Sequence, residues 1–279
     1  MTAAYPVDRR LVLIRHGQTE YNATGRMQGQ LDTELSEVGR EQARAAAEVL
    51  AGWTVSRVIA SDLERAEETA RILAEPWGVD VETDQRLRET DLGAWQGASH
   101  KEVDADYPGQ RAYWKHDPEW APPQGESRVQ VAERAFAVVD EVMNTDAFDR
   151  GLVVIVAHGG TIGALTARLL NLPSSHSLVF SGLGNVCWSQ LLARPQFVGA
   201  GDSSVPAVDG STVPLVPSGA KDWWKTPKWL LEGWNVHANA AAPAGAPSPD
   251  EGGEAASEET AEGGGKSAVE TDMTGEQLR

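Results

Sequence analysis

Two short apolar runs in this chain end in the same way. Leu11-Val12-Leu13-Ile14 leads directly into Arg15-His16-Gly17, and Leu152-Val153-Val154-Ile155-Val156-Ala157 leads into His158-Gly159-Gly160. Runs rich in β-branched residues, with no polar alternation, read as strands covered on both faces, and such strands belong to sheets sandwiched between helices. Buried strands of that kind deliver functional groups just beyond their carboxyl ends. The pair of runs therefore restricts the chain to an α/β fold in which Arg15, His16 and His158 meet at one edge of a sheet.

The remaining segments fit that architecture. Ser36 caps a helix that reaches about Leu50 and is closed by Gly52. Val55 to Ala60 is a further buried strand. Ser61 and Glu64 have capping-box spacing, which predicts a helix from about Asp62 to just before Pro76 and puts Arg65 in its first turn. Val79 to Glu82 alternates as a short strand. Residues 86–126, rich in Trp, Pro and charge, are expected to cover the pocket with short helices and loops, and they carry Glu89. Ser127 and Gln130 form another capping box, opening a helix to about Met143; a later helix spans Thr161 to Leu170 and ends before Pro173. Val186 to Leu192 reads as a strand, with Cys187 as one of its small core residues. Residues 194–227 read as a Pro/Gly/Ser-rich insertion and Trp229 to Trp234 as an edge strand, packed by the tryptophans at 223, 224, 229 and 234. Strands alternating with helices predict a three-layer sandwich around a mostly parallel central sheet.

Composition bounds the rest. The net charge is −17, of which the last segment, 238–279, carries −7 with nine acidic and two basic residues. That segment has too few large apolar residues to bury a core and is expected to be a disordered acidic tail behind a catalytic domain at 1–237. Such a charge argues against nucleic acid and anionic membranes as partners. No run is long enough to span a bilayer, and the start of the sequence has no signal-peptide core, so a cytoplasmic location is expected. The single cysteine allows no disulfide within the chain. The histidines at 16, 100, 116, 158, 176 and 237 show no short ligand spacing, and no phosphate loop or dinucleotide turn is present; neither a metal nor a cofactor is expected.

Two imidazoles and two guanidinium groups at one sheet edge suit a phosphoryl group. Arginine keeps its charge and offers a planar fork to phosphate oxygens, and helix N-termini add backbone donors. A neutral imidazole is able to attack phosphorus, fixed cations stabilise the charge on the transferring group, and a carboxylic acid such as Glu89 protonates the leaving alkoxide. Each residue alone is ambiguous. A lone strand histidine is commonly structural, an arginine in a first helical turn is commonly a surface charge, and Glu89 is one acidic residue among 41 Asp and Glu. Their joint placement carries the argument.

The blocks that contain these residues resemble the histidine phosphatase superfamily, with its phosphoglycerate mutase-like fold. Leu13-Ile14-Arg15-His16-Gly17-Gln18-Thr19-Glu20-Tyr21-Asn22 resembles the family signature, followed by Gly25-Arg26-Met27-Gln28-Gly29. Ser61 to Ala70, Leu87-Arg88-Glu89 with Trp95-Gln96-Gly97, Gly125-Glu126-Ser127, and Val156 to Gly160 follow in order, so the likeness covers residues 10–192. The resemblance implies His16 as the phosphorylated nucleophile, Glu89 as proton donor, and Arg15, Arg65 and His158 around the phosphoryl group. It implies Thr19, Asn22, Gln28, Gly29 and the backbone at Gly159 as substrate contacts, no metal, and a homodimer acting on a small phosphorylated substrate. Glu89-Thr90-Asp91-Leu92-Gly93 resembles the phosphatase side of the family rather than its mutases. Arg26 to Ser36, Trp120-Ala121-Pro122, Gly184-Asn185 and Trp234-Asn235 resemble the actinobacterial branch that hydrolyses glucosyl-3-phosphoglycerate for methylglucose lipopolysaccharide synthesis. A broader phosphatase, a phosphoglycerate mutase and a non-catalytic phospholigand-binding module are the competing expectations.

Overall fold

Side chains along strand β1 (Arg9–Arg15) alternate between two cores. Leu11 and Leu13 enter one apolar cluster, and Val12 and Ile14 enter another on the opposite face. That split requires helices on both sides of the sheet, and the computed structural model, which describes residues 8–176, 179–199, 215–217 and 222–238, provides them. Helices α2 (Glu37–Leu50) and α3 (Glu64–Ala74) cover the Val12 and Ile14 face, while α6 (Arg128–Met143), α7 (Ala147–Arg150) and α8 (Gly159–Leu169) cover the other. Two further short helices, α4 (His100–Asp106) and α5 (Gln110–His116), belong to the 86–126 region, and α1 (Glu20–Ala23) lies in the loop after β1. The three-layer α/β sandwich is thus observed.

The central sheet also contains β2 (Val55–Ala60), β3 (Val81–Thr83), β4 (Leu152–Ala157), β5 (Trp188–Arg194) and β8 (Lys228–Val236), in the order β3-β2-β4-β1-β5-β8. β3, β2, β4 and β1 run parallel, and β5 and β8 add antiparallel strands on one side. The register matters most. Leu13 lies opposite Ile155 and Arg15 opposite Ala157, while Ala60 of β2 lies opposite Val156. His16, His158 and Ser61 therefore each follow the last residue or near-last residue of adjacent strands, at one level. Backbone bonds from His16 N–H to the Ala157 carbonyl (3.0 Å) and from Ser61 N–H to the Val156 carbonyl (2.9 Å) continue the ladder past the strand ends. Leu11, Leu13, Ile14, Val153, Val154 and Val156 have 0 % of their surface exposed, and each such side chain contributes about 1.5–3 kcal/mol of burial. The frame that presents the histidines is thus the best-buried part of the molecule.

Residues 86–126 have a small core of their own. Trp95 is fully buried, with its ring centroid 5.5 Å from that of Trp120, 6.0 Å from Trp114 and 6.2 Å from Tyr107. The region is tied to the loop after β1 by hydrogen bonds from Met27 N–H to the Ala98 carbonyl and from Gly97 N–H to the Met27 carbonyl.

Several local expectations are corrected. Ser61 does not cap α3. The helix starts at Glu64 with Leu63 at its N-cap, and the Glu64 N–H donates instead to Asp32 from the β1–α2 loop at 2.8 Å. The Ser61 hydroxyl is engaged elsewhere, as described below. α8 begins at Gly159 rather than Thr161, because another segment supplies its cap. The strand expected from Val186 begins at Trp188: Val186 has φ +54°, a left-handed conformation incompatible with an extended ladder. Cys187 accordingly sits in a half-buried turn rather than in a strand, and burial raises its thiol pKa.

Within 194–227, β6 (Phe197–Gly199) pairs antiparallel with β7 (Leu215–Pro217), and residues 223–225 form a single helical turn that buries Trp223. Trp229 is also buried, while Trp224 and Trp234 pack against the same cluster, consistent with a packing role for these rings. Residues 200–214 and 218–221 of the expected insertion, and 239–279 of the expected tail, lie outside the described residues.

Candidate active site

At the carboxyl edge of the sheet, the rings of His16 and His158 have centroids 5.1 Å apart and planes tilted by 59°. Both are almost wholly buried, at 2 % and 0 % exposure. The His16 Nδ1 lies 2.7 Å from the Gly17 carbonyl oxygen. A carbonyl only accepts, so Nδ1 carries the proton and Nε2 holds the lone pair. Gly17 is placed by close packing: a Cβ there would approach the Gly39 carbonyl oxygen of α2 to 2.5 Å. Desolvation, followed by the charges of Arg65 and Arg15, holds the His16 pKa well below the ordinary imidazole value. His158 is lowered likewise, by burial first and then by Arg65, His16 and Arg15. Two neutral imidazoles thus face each other in a cationic surrounding.

Arg65 is 1 % exposed. Its Nε donates to His16 Nε2 at 3.3 Å, and its two terminal nitrogens donate to the Leu31 and Gly29 carbonyls at 2.7 and 2.8 Å. Burial lowers its pKa to about 10, which leaves it charged at neutral pH. Gly29 therefore serves this site through its carbonyl. Its φ of +56° and the 2.3 Å approach of a Cβ to Gln96 Oε1 leave room only for glycine. Arg15 reaches across to the Leu183 carbonyl through Nη1, and its Nε is buried with no partner.

Glu89 enters from the region above. Its Oε2 accepts the Gly160 N–H at 3.0 Å, and its Oε1 accepts those of Thr161 at 3.1 Å and Thr90 at 2.8 Å. The carboxyl group thus caps α8. Gly160 has no room for a side chain beneath it, since a Cβ would come within 2.6 Å of Glu89 Oε1. The N–H of Gly159, first in the helix, has no acceptor among the described residues. The Gly159 Cβ position lies 3.5 Å from the orphaned Arg15 Nε.

Two amides flank these cations. Asn22 Oδ1 accepts from Thr19 N–H and Asn185 Nδ2, both at 3.2 Å. Gln28 Oε1 accepts the hydroxyls of Thr19 at 2.9 Å and Thr33 at 2.7 Å. Both carbonyl oxygens are saturated, which fixes the amide orientation and leaves each NH2 as a donor. Thr19 is fully buried beside the two amides, and its backbone N–H and hydroxyl bond their carbonyl oxygens.

Sequence reasoning missed three participants. Ser61 Oγ lies 2.9 Å from His158 Nε2, which leaves Nδ1 buried with no partner. Asn185 bonds both the His16 carbonyl (3.0 Å) and Asn22. Arg134, on α6, contacts the backbone around Glu89. Only Ser61 had an audible signal, its place after a buried strand; the contacts of Asn185 and Arg134 span long sequence separations. Among the described residues, no group of three or more His, Cys, Asp or Glu is arranged to hold a metal ion. Fixed cations, amide donors, the Gly159 N–H at the start of α8 and a lone-pair imidazole together suit a tetrahedral oxyanion and attack upon it.

The sequence profile of the histidine phosphatase superfamily (branch 1) matches residues 11–197. A glucosyl-3-phosphoglycerate phosphatase of Mycolicibacterium vanbaalenii is 48 % identical over 84 % of this chain and 97 % of its own length. One from Mycobacterium tuberculosis is 53 % identical over 66 % of this chain and 85 % of its own. A solved structure of mycobacterial glucosyl-3-phosphoglycerate phosphatase is 44 % identical, covers 82 % of this chain and 99 % of that one, and superposes with a TM-score of 0.69.

Proposed function

The chain belongs to the histidine phosphatase superfamily, and from that premise we propose that it is a metal-independent phosphomonoesterase that hydrolyses glucosyl-3-phosphoglycerate through phosphohistidine at His16. The observation that carries this reading is the pair of neutral imidazoles 5.1 Å apart, flanked by Arg15 and Arg65. Bound phosphate oxygens take donors from Arg15, Arg65, Asn22, Gln28 and the Gly159 N–H. His16 Nε2 attacks phosphorus as the ester P–O bond breaks, and protonated Glu89 gives its proton to the departing alkoxide. Glu89 then accepts a proton from water as that water attacks phosphorus and the P–N bond breaks. Phosphate leaves and free His16 returns. Arg15, Arg65 and His158 stabilise the charge on the transferring group in both steps.

The substrate assignment rests on the names of relatives that match over most of this chain. Residues 1–237 are read as the catalytic domain, with 86–126 as its cover. A cytoplasmic homodimer completes the reading, with edge strand β8 exposing Leu230 and Leu231. The experiment is a side-by-side phosphate-release assay across phosphorylated glycerates and sugars, with phosphoryl transfer between glycerate positions followed in parallel. Preferred release from glucosyl-3-phosphoglycerate supports the reading. Transfer outrunning release would make the chain a mutase, and binding without turnover a phospholigand-binding module.

A further inference from the structure

Glu89 sits in an irregular stretch, since residues 88–92 belong to no helix or strand. A carboxyl group on such a segment has no intrinsic reason to stay in one place. Gln30 Nε2 donates to the Glu89 carbonyl at 3.1 Å and Thr161 Oγ1 to the Arg88 carbonyl at 2.8 Å, but the side chain that binds most of the segment's carbonyls is Arg134, which comes from α6, 45 residues further along the chain. Its Nη1 donates to the carbonyls of Arg86 and Arg88, both at 2.7 Å. Its Nη2 donates to the Glu89 carbonyl at 2.9 Å and to Glu126 Oε2 at 2.8 Å, and its Nε donates to Glu126 Oε1 at 2.8 Å. All five guanidinium N–H groups are thereby used. Glu126 passes the hold to the far side of Glu89, because its Oε2 also accepts the Asp91 N–H at 2.9 Å while its own N–H donates to the Asp91 carbonyl at 2.8 Å. The Glu126 carboxyl is held below its ordinary pKa: burial acts to raise it, and the bonds from Arg134 and the Asp91 N–H outweigh that.

We infer that Arg134, backed by Glu126, is a positioning residue for the Glu89 carboxyl group. Arg134 grips the backbone before and at Glu89, Glu126 holds Asp91 beyond it, and the carboxylate then settles on the Thr90 N–H and the N-terminus of α8. Lysine has three donors on a single nitrogen and is unable to span three carbonyls and a carboxylate at once. The inference rests on the reading of Glu89 as acid and base, so its test must separate the two.

The test compares phosphoryl transfer to the enzyme, in single turnovers, from glucosyl-3-phosphoglycerate and from p-nitrophenyl phosphate. The first leaves as an alkoxide that needs a proton; the second leaves as a stable phenolate. Arg134→Lys is expected to slow the alkyl ester ~10- to 100-fold and the aryl ester less than ~3-fold, since a well-placed general acid contributes ~10²–10⁴-fold. Glu126→Gln, which keeps an acceptor for the Asp91 N–H but loses the charged fork, is expected to show the same selectivity at smaller size, and it carries the test if Arg134→Lys does not fold. In a Glu89→Gln background, Arg134→Lys should add less than ~2-fold, because both changes remove one effect. Equal slowing of the two esters, or multiplicative losses in the double variant, would overturn the inference. Glu89→Gln alone reports on the underlying reading: if it slows both esters alike, Glu89 is not the acid, whatever Arg134 does.

Discussion

Strand β1 carries a nearly buried arginine at each end, and the two are treated in opposite ways. Arg9, 5 % exposed, is provided for by the protein. Its guanidinium donates to the Met143 carbonyl, pairs with Asp149 at 3.5 Å, and lies over the rings of Trp224 at 4.8 Å and of Phe148 and Trp223 at 5.7 Å. Arg15, 8 % exposed, has one carbonyl partner, at Leu183, and a buried Nε with none. It forms no salt bridge with a carboxylate among the described residues. Burying a cation without partners is costly, so an arginine left short at such a position signals a ligand that completes it. Residue type and burial do not distinguish structure from site here; the state of hydrogen-bond satisfaction does.

The comparison is open to attack at several points. Arg15→Gln should lower kcat/KM by about 10²–10³-fold, the effect of losing one preorganised donor to transition-state charge, with little loss of thermal stability. Arg9→Gln should leave kcat/KM within about threefold and instead cost about 2–3 kcal/mol in denaturant unfolding, from the lost carbonyl bond and ring contacts. If both variants lost activity equally, or both lost stability equally, the distinction between the two ends of β1 would fail.

Inorganic phosphate sharpens the same contrast. At a hundredfold excess over its dissociation constant it should stabilise the parent and Arg9→Gln by about 2.7 kcal/mol, and Arg15→Gln by far less. The histidines beside Arg15 set a pH dependence. Burial, then Arg65 and other site cations, keeps His16 and His158 below their ordinary values in the folded protein. The unfolded chain therefore takes up protons first as pH falls below about 6.5, and stability is lost from there downward, on the order of 1 kcal/mol per histidine for each pH unit while the folded histidines stay neutral. Unfolding in phosphate-free buffer at pH 7.5 and 5.5 checks this, and a pH-independent midpoint would contradict it. The smallest effect is expected of Ser61→Ala, which removes one hydrogen bond from His158 and should slow turnover roughly fivefold, about 1 kcal/mol.

These two ends of β1 also mark what was legible in the sequence. Arg15, His16 and His158 were visible because an apolar run that stops at a charge has one meaning in an α/β sheet, and the parallel register of β1, β2 and β4 then brings their ends together. Arg9 carried no such signal; its aromatic partners come from residues more than a hundred positions away. A local capping rule misplaced the start of α3, and the span read for α8 began two residues late, for the same reason. Asp32 and Glu89, distant in sequence, supply those caps, and Ser61 is diverted to His158. The turn at Val186 is set by contacts too: its N–H donates to the Arg15 carbonyl at 3.1 Å, a constraint that overrides a β-branched residue's preference for strand.

The central claim is that His16 Nε2, with its proton held at Nδ1 against the Gly17 carbonyl, carries the phosphoryl group between substrate and water. It is tested most directly by stopping the reaction with alkali during the first turnover and locating the phosphoryl group by peptide mass spectrometry. The account predicts an acid-labile, alkali-stable phosphoryl group on His16, formed at least as fast as the enzyme turns over and absent from His16→Asn. A phosphoryl group on any other residue, or product released with no phosphoenzyme formed at a competent rate, would contradict it.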